Sequence, residues 1–290
     1  MPEAIDSIIS FIHNFWKKNH ILVKDINLFD YMYLNNKTEY NFFYNLKKND
    51  VKAIIGVIIP SDNNIWFSLW RSIGTDNEGF SLFTDVLKKF KPNFVGAIGI
   101  NNKVEKFYKY LDWNIVSLNH YYVSKPKIKP IVSENYSLVN KIDFNDKYND
   151  SYFPEKNNSY LNNRYNNHPH FDYNYLDIPS EEIIFIGRTV VYLEKKVFHV
   201  VDFIGNLNQK DIKSVINNFL FDNNFDMFEM MAYLSDSPVT DLSLKRDDTI
   251  IPLYFNPFEN KNITVKCAYK TQSQNNVKIV LGDSDQDRPN

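Results

Sequence analysis

The chain has 290 residues, 43% hydrophobic and 16% aromatic, which is enough to build one large domain or two of ordinary size. Its net charge of −2 supplies no basic excess to condense onto a phosphate backbone, so nucleic acid is not an expected partner. The only cysteine, Cys267, excludes an intrachain disulfide framework and any cysteine-based zinc site.

The N-terminus carries Glu3 and Asp6 where a signal peptide would carry basic residues. The longest apolar run, residues 53–59, falls far short of the roughly 20 residues that span a bilayer. A soluble, cytoplasmic protein is expected. Residues 4–19 set Ile5, Ile8, Ile9, Ile12, Phe15 and Trp16 at helical spacing. Three strand-like runs follow, 39–46, 51–60 and 64–73, separated by Lys/Asn/Asp and Ser/Asp/Asn turns that predict an antiparallel meander. A loop at 73–79 leads to a helix over 80–90, then to a buried strand over 94–100. Asn101 opens a helix of a little over two turns that carries Phe107 and Tyr108 and stops at Trp113. Residues 114–124 read as one or two strands.

Residues 124–135 hold two prolines and three lysines without apolar periodicity, which places a domain boundary near residue 128. The domains expected are therefore 1–128 and 129–290. Residues 148–177 are polar and rich in Asn and Tyr. Their aromatics argue for an ordered, functional loop region rather than disorder. Beyond it, strand (196–207), helix (209–221) and strand (225–234) repeat the order of 65–74, 80–90 and 94–101. The fold class expected is mixed α/β, mainly antiparallel, with one α/β unit present twice.

A strand ending in Arg71, a loop with Gly74 and Gly79, and then a helix form a candidate anion site. Unpaired N–H groups at a helix start and the helix dipole suit a pyrophosphate, and glycine lets the backbone approach it closely. His120 lies on a strand near this region and is either a base or a structural histidine. His168 and His170 lack a third ligand, so no metal is expected. Asp283, Asp285 and Asp287 alternate like the start of a calcium loop, but the required glutamate at its twelfth position has no counterpart before Asn290.

Arg71, Gly74, Gly79, Asn101 and Tyr108 at these spacings resemble the Gcn5-related N-acetyltransferases. That family carries Arg/Gln-x-x-Gly-x-Gly/Ala after its fourth strand and Asn-x-x-Ala-x-x-x-Tyr-x-x-x-Gly-Phe after its fifth. Here Asp76 stands at the final Gly/Ala, Val104 at the small position, and Asp112–Trp113 at Gly-Phe. Stretches 65–73, 96–123, 200–205, 250–263 and the ending "GDSDQDRPN" are similar to bacterial two-domain sugar N-acyltransferases of O-antigen and capsule biosynthesis. The resemblance implies tandem domains of this fold and an acetyl or 3-hydroxyacyl coenzyme A as donor. It implies as acceptor the amine of a nucleotide-linked amino-deoxysugar, such as a dTDP-3-amino-3,6-dideoxyhexose.

It also implies residue roles. The cofactor would meet Trp70, Arg71, Ser72, Gly74, Gly79, Phe80, Ser81, Asn101, Phe107 and Tyr108. A backbone N–H near Leu69 or Trp70 would hold the thioester oxygen, and Tyr108 would protonate the leaving sulfur. His120, His168, Tyr173, Asp283, Asp285, Asp287 and Arg288 would meet the sugar nucleotide, the tail folding back over it. Residues 206–211 replace the glycine loop in the second half, so coenzyme A is expected in the first half alone. Two other classes stay open: an aminoacyl transferase of peptidoglycan-bridge type, and a non-catalytic protein that kept the fold.

Overall fold

The computed structural model describes residues 2–35, 39–48, 50–73, 77–130, 135–145, 148–207, 212–236, 242–244, 249–252 and 259–288. The chain opens with α1 (Pro2–Phe15), α2 (Ile21–Lys24) and α3 (Ile26–Tyr33). The first of these buries Ile8, Phe11 and Ile12. It ends before the predicted residue 19 because the Trp16 and Lys17 N–H groups both bond the Ile12 carbonyl, at 3.0 Å each, and close the last turn. His20 and Asp25 then cap α2 and α3 through side chains that accept from Leu22 N and Leu28 N.

A short pair, β1 (Leu34–Asn35) and β2 (Glu39–Tyr40), leads into the predicted meander: β3 (Phe42–Lys47), β4 (Asp50–Ser61) and β5 (Asn64–Ser72). Next come α4 (Glu78–Phe90), β6 (Phe94–Ile98), α5 (Asn102–Tyr110), β7 (Asn114–Ser117) and β8 (Asn119–Ser124). The later part holds β9 (Ser137–Val139), α6 (Asn158–Leu161) running into a π-turn at Asn162–Asn166, β10 (Asn174–Ile178), β11 (Ile183–Tyr192) and β12 (Lys195–Ile204). It closes with α7 (Lys213–Asp222), β13 (Met227–Leu234), β14 (Ser243–Leu244), β15 (Lys266–Thr271) and β16 (Lys278–Val280).

The strands form two large sheets of matching order. The first runs β3-β4-β5-β6-β15-β7, and the second β9-β10-β11-β12-β13-β8-β14, with β16 also paired to β13. In each, a hairpin (β4–β5, β11–β12) feeds a helix and then a parallel strand (β5–β6 through α4, β12–β13 through α7). The other strand pairings are antiparallel among the described residues, and an isolated bridge, Phe153↔Val277, is parallel. The repeated pattern of the sequence is thus a repeated unit.

The two units exchange a strand. Next to β6 lies β15, from the far end of the chain, and next to β13, in the equivalent place, lies β8 from the early part. The run 114–124 therefore breaks at Leu118: β7 stays in the first sheet and β8 enters the second. Four apolar clusters follow from this layering. One joins the inner faces of both sheets to α1–α3, and includes Leu69, Ile98, Met231 and Ile279. Others pack α4 and α5 on the outer face of the first sheet, and α7 on that of the second. A fourth sets residues 142–145 and 148–173 on the second sheet through Tyr165, Tyr173 and Val201, so the Asn/Tyr-rich stretch is ordered. No described helix is long and apolar enough to cross a membrane.

Candidate active site

The parallel pair β5–β6 holds register from Asn64↔Phe94 to Phe67↔Ala97 and then stops, while β5 runs on to Ser72. Against its other neighbour, β5 shifts register between Ile54↔Arg71 and Gly56↔Ser68, so that Leu69 and Trp70 together oppose Ile55. Such a bulge interrupts the ladder and re-aims the residues within it. Leu69 takes the left-handed conformation, with φ 45°. The bulge sends Ser68 and Leu69 to the inner face, where Tyr33 and the Ser68 hydroxyl are hydrogen-bonded at 2.8 Å, and Trp70 to the outer face with α4 and α5.

On that outer face the helix period of α5 aims Val104, Phe107, Tyr108 and Leu111 at the sheet. Tyr108 lies beside Trp113 and Trp70, with ring centroids 4.6 and 6.1 Å away. Phe83 and Phe107 complete the wall. Burial pushes the Tyr108 hydroxyl well above the ordinary phenol value, so it stays protonated across the physiological range. Asp112 occupies the glycine position of the family pattern and itself takes φ 59°, which short polar side chains tolerate.

The two helices differ at their starts. Asn101 caps α5, its side chain accepting from Lys103 N at 2.9 Å and Val104 N at 3.1 Å. Asn77 makes no side-chain cap bond to α4, whose first turn therefore lacks that cap. Gly79 is buried there, and a Cβ on it would stand 2.6 Å from the Ser72 hydroxyl, so only glycine lets the helix start sit against the end of β5. Arg71, Ser72 and Ser81 are exposed, as is the Phe80 ring. Glu78 is paired with Lys47 at 3.4 Å. Gly74 and Asp76 lie outside the described residues.

The C-terminal tail reaches the gaps of both units. In the second, β12 and β13 keep register to Val200↔Met230. There β16 pairs with β13 from Ala232↔Val280, and the Gly282 N–H donates to the Val201 carbonyl at 2.8 Å. Backbone fills that gap. In the first unit the described contacts of the tail are made by side chains: the Ser284 hydroxyl donates to the Phe67 carbonyl at 3.2 Å, and Gln286 donates to the Ile98 carbonyl at 3.3 Å.

The tail carboxylates are buried and partnered. Lys156, itself buried, lies 2.6 Å from Asp202 and 2.9 Å from Asp283. Asp287 accepts from Tyr173 and pairs with Arg188 at 3.2 Å. Asp285 pairs with Arg288, and the buried Arg164 donates to the Ser284 carbonyl at 2.9 Å. His168 accepts backbone N–H bonds from His170 and Phe171 on Nδ1. Burial first, and Arg164 second, lower its pKa to about 3, which keeps the ring neutral. His170 pairs with Asp25 at 2.6 Å, and the described residues contain no group of ligands that would hold a metal.

His120 is buried and bonds Glu229 at 2.6 Å, and Glu229 also bonds His199. Burial opposes the Glu229 charge, but the two imidazoles outweigh it and lower the carboxyl to about 2. Sequence reading singled out neither Glu229 nor His199. The available signal was a lone acid in "MFEMMAYL" and a lone histidine in "VFHVV".

No family model matches the chain, and no curated protein matches it. Among solved structures, a GCN5-related N-acetyltransferase from Kribbella flavida superposes with TM-score 0.57 at 7% identity, over 92% of this chain and 69% of that one. One from Anabaena variabilis gives TM-score 0.54 at 8% identity, over 93% and 71%. A candidate acetyltransferase from Pyrococcus horikoshii gives 0.50 at 11%, over 94% and 88%. The strand order, the bulge of β5 against β4, the interrupted β5–β6 pair and these superpositions agree: the chain has the GCN5-related N-acetyltransferase fold, built twice with one strand exchanged.

Proposed function

We propose that this chain is an acyl-CoA-dependent N-acyltransferase with its cofactor in the first unit, acting on the amine of a nucleotide-linked amino-deoxysugar. The observation that carries the reading is the contrast between the two gaps. One is bordered by the bulge of β5, with the Tyr108 ring packed near Trp70 on the outer face and α4 starting without a side-chain cap; the other is filled by backbone. The acceptor class rests on the sequence resemblance in the β5, α5–β8 and tail segments.

The donor supplies an activated thioester. Around it, the backbone N–H groups at Leu69 and Trp70 would stabilise the oxygen as charge develops on it. Tyr108, held protonated, would donate a hydrogen bond to the departing sulfur. The first turn of α4 would take the pyrophosphate, with Arg71 and Ser72 at its edge. Holding amine and thioester together supplies much of the rate.

The test is thiol release from acetyl-CoA with dTDP-3-amino-3,6-dideoxygalactose as probe. We expect one thiol per N-acetylated sugar. Release that is the same with and without the sugar would contradict the acceptor assignment.

A further inference from the structure

Three strands of the second sheet meet at one buried carboxylate. Glu229 on β13 is 0% exposed, and its two oxygens bond His120 on β8 and His199 on β12. Removing such a cluster in favour of well-packed apolar residues is often neutral or stabilising, so it is weak evidence of a structural need. The first unit makes the comparison directly. His199↔Glu229 is the rung before the last parallel rung, Val200↔Met230. Its counterpart before Phe67↔Ala97 is Trp66↔Gly96. His120, opposite Met231, corresponds to Cys267, opposite Ile98. The same three positions that carry His, Glu and His in one unit carry Trp, Gly and Cys in the other, with Trp66 and Cys267 fully buried. The fold itself is satisfied without charge there.

The apolar core and the tail link this cluster to the gap of the first unit. Met231, the rung partner of His120, packs in the same apolar cluster as Leu69 and Ile98. Gln286 bonds the Ile98 carbonyl, and the next residue, Asp287, couples electrostatically to His199 and pairs with Arg188.

Resting on the acyl-transfer reading above, we infer that His120 is the general base for the acceptor amine and that Glu229 orients it. A carboxylate accepts only, so the ring nitrogen facing it, Nε2, carries a proton, and the site at which the ring can take up a proton is Nδ1. Nδ1 takes one proton from the ammonium of the acceptor. The freed amine forms the N–C bond, the C–S bond breaks, and the second amine proton ends on sulfur as the thiol. His120 then returns its proton to solvent. His199 holds the other oxygen of Glu229 and is a positioning residue, as is Glu229.

The test uses the full chain with acetyl-CoA and dTDP-3-amino-3,6-dideoxygalactose. His120→Asn is expected to lower kcat/KM at pH 7 about 100-fold, within the usual range for a general base. Coenzyme A affinity should stay within threefold. The loss should shrink to roughly tenfold at pH 9, where an amine of pKa about 8 deprotonates unaided. Glu229→Gln should show the same pH-dependent pattern. The groups facing His120 and Glu229 (His199 from β12, with Asp287 and Arg188 beyond it) are unchanged in the His120 variant, so they do not produce it. An equal loss at every pH, or none, overturns the assignment while wild-type turnover stands. A wild type that binds no coenzyme A, or acetylates no such amine, defeats the acyl-transfer reading and this one with it. Ring 15N shifts of the wild type give a check that needs no variant to fold: an Nε2–H tautomer of His120 is expected, and Nδ1–H overturns the proposal.

Discussion

Tyr108→Phe is expected to lower turnover about 100-fold, at the low end for loss of a proton donor, with coenzyme A affinity changed less than threefold. The substitution removes one oxygen from a ring that is 1% exposed and packed against Trp70, Phe83, Phe107 and Trp113. Phenylalanine fills the same volume, so the fold and the aromatic wall should persist. What disappears is the hydroxyl, held protonated by burial on a ring that packs near Trp70 on the outer face of the first sheet. A hydroxyl with so high a pKa stabilises a departing thiolate by donating a hydrogen bond, a contact made mainly in the transition state. The signature is therefore a fall in kcat with KM and Kd for coenzyme A preserved. Steady-state kinetics beside calorimetry measure both. Equal losses in the two, or no loss, would exclude Tyr108 from the chemistry.

Lys156→Met is expected to cost about 3–5 kcal/mol of stability, the usual penalty for leaving buried carboxylates without their cation. In a chain of this size that lowers Tm by on the order of 10 °C. Lys156 is the cation between Asp202 and Asp283, with its side chain 3% exposed and both carboxylates at 0%. Asp283 stands in the tail segment that runs from β16 to Ser284 and Gln286, so this ion cluster ties the tail to the sheet. A surface control should behave differently. Lys129 pairs with Asp222 at a similar 2.9 Å, but the side chains are 62% and 40% exposed. Lys129→Met should cost under about 1 kcal/mol. Differential scanning calorimetry on the two variants separates the cases, and equal shifts would mean that Lys156 does not anchor the tail.

The same cluster sets a sign for acid. Burial disfavours the Asp202 charge, but Lys156, Lys278 and the Tyr165 hydrogen bond together outweigh it and the carboxyl is lowered. Its stabilisation is present above the ordinary aspartate value near 4 and is lost as pH falls through the folded value. Asp283 is raised, chiefly by burial, so its term runs the other way: stability falls as pH rises through its ordinary value toward its folded one.

Much of each α/β unit was legible because it is local. Apolar runs bounded by turn residues marked β4, β5, β6, β12 and β13, and a 3.6 period marked α4, α5 and α7. Tyr108 was readable for the same reason. The strand exchange was not, since which edge β8 and β15 join depends on partners more than 100 residues away. The bulge at Leu69 leaves no periodic trace in "FSLWRS". The tail misleads by composition: "GDSDQDR" is the profile of a solvated end, yet Asp283, Asp285 and Asp287 are buried because Lys156, Arg288, Arg188 and Tyr173 meet them. Glu229 was visible as an oddity in an apolar strand, but its meaning required β8 and β12 beside it.

The central claim is one cofactor site, in the first unit. Calorimetric titration of the purified chain with coenzyme A tests it most directly. The account predicts saturable binding at one site per chain, because tail backbone fills the second gap, whereas the described tail contacts at the first are made by the Ser284 and Gln286 side chains. No binding would leave a fold without its cofactor, and two sites per chain would contradict the assignment of the second unit as closed.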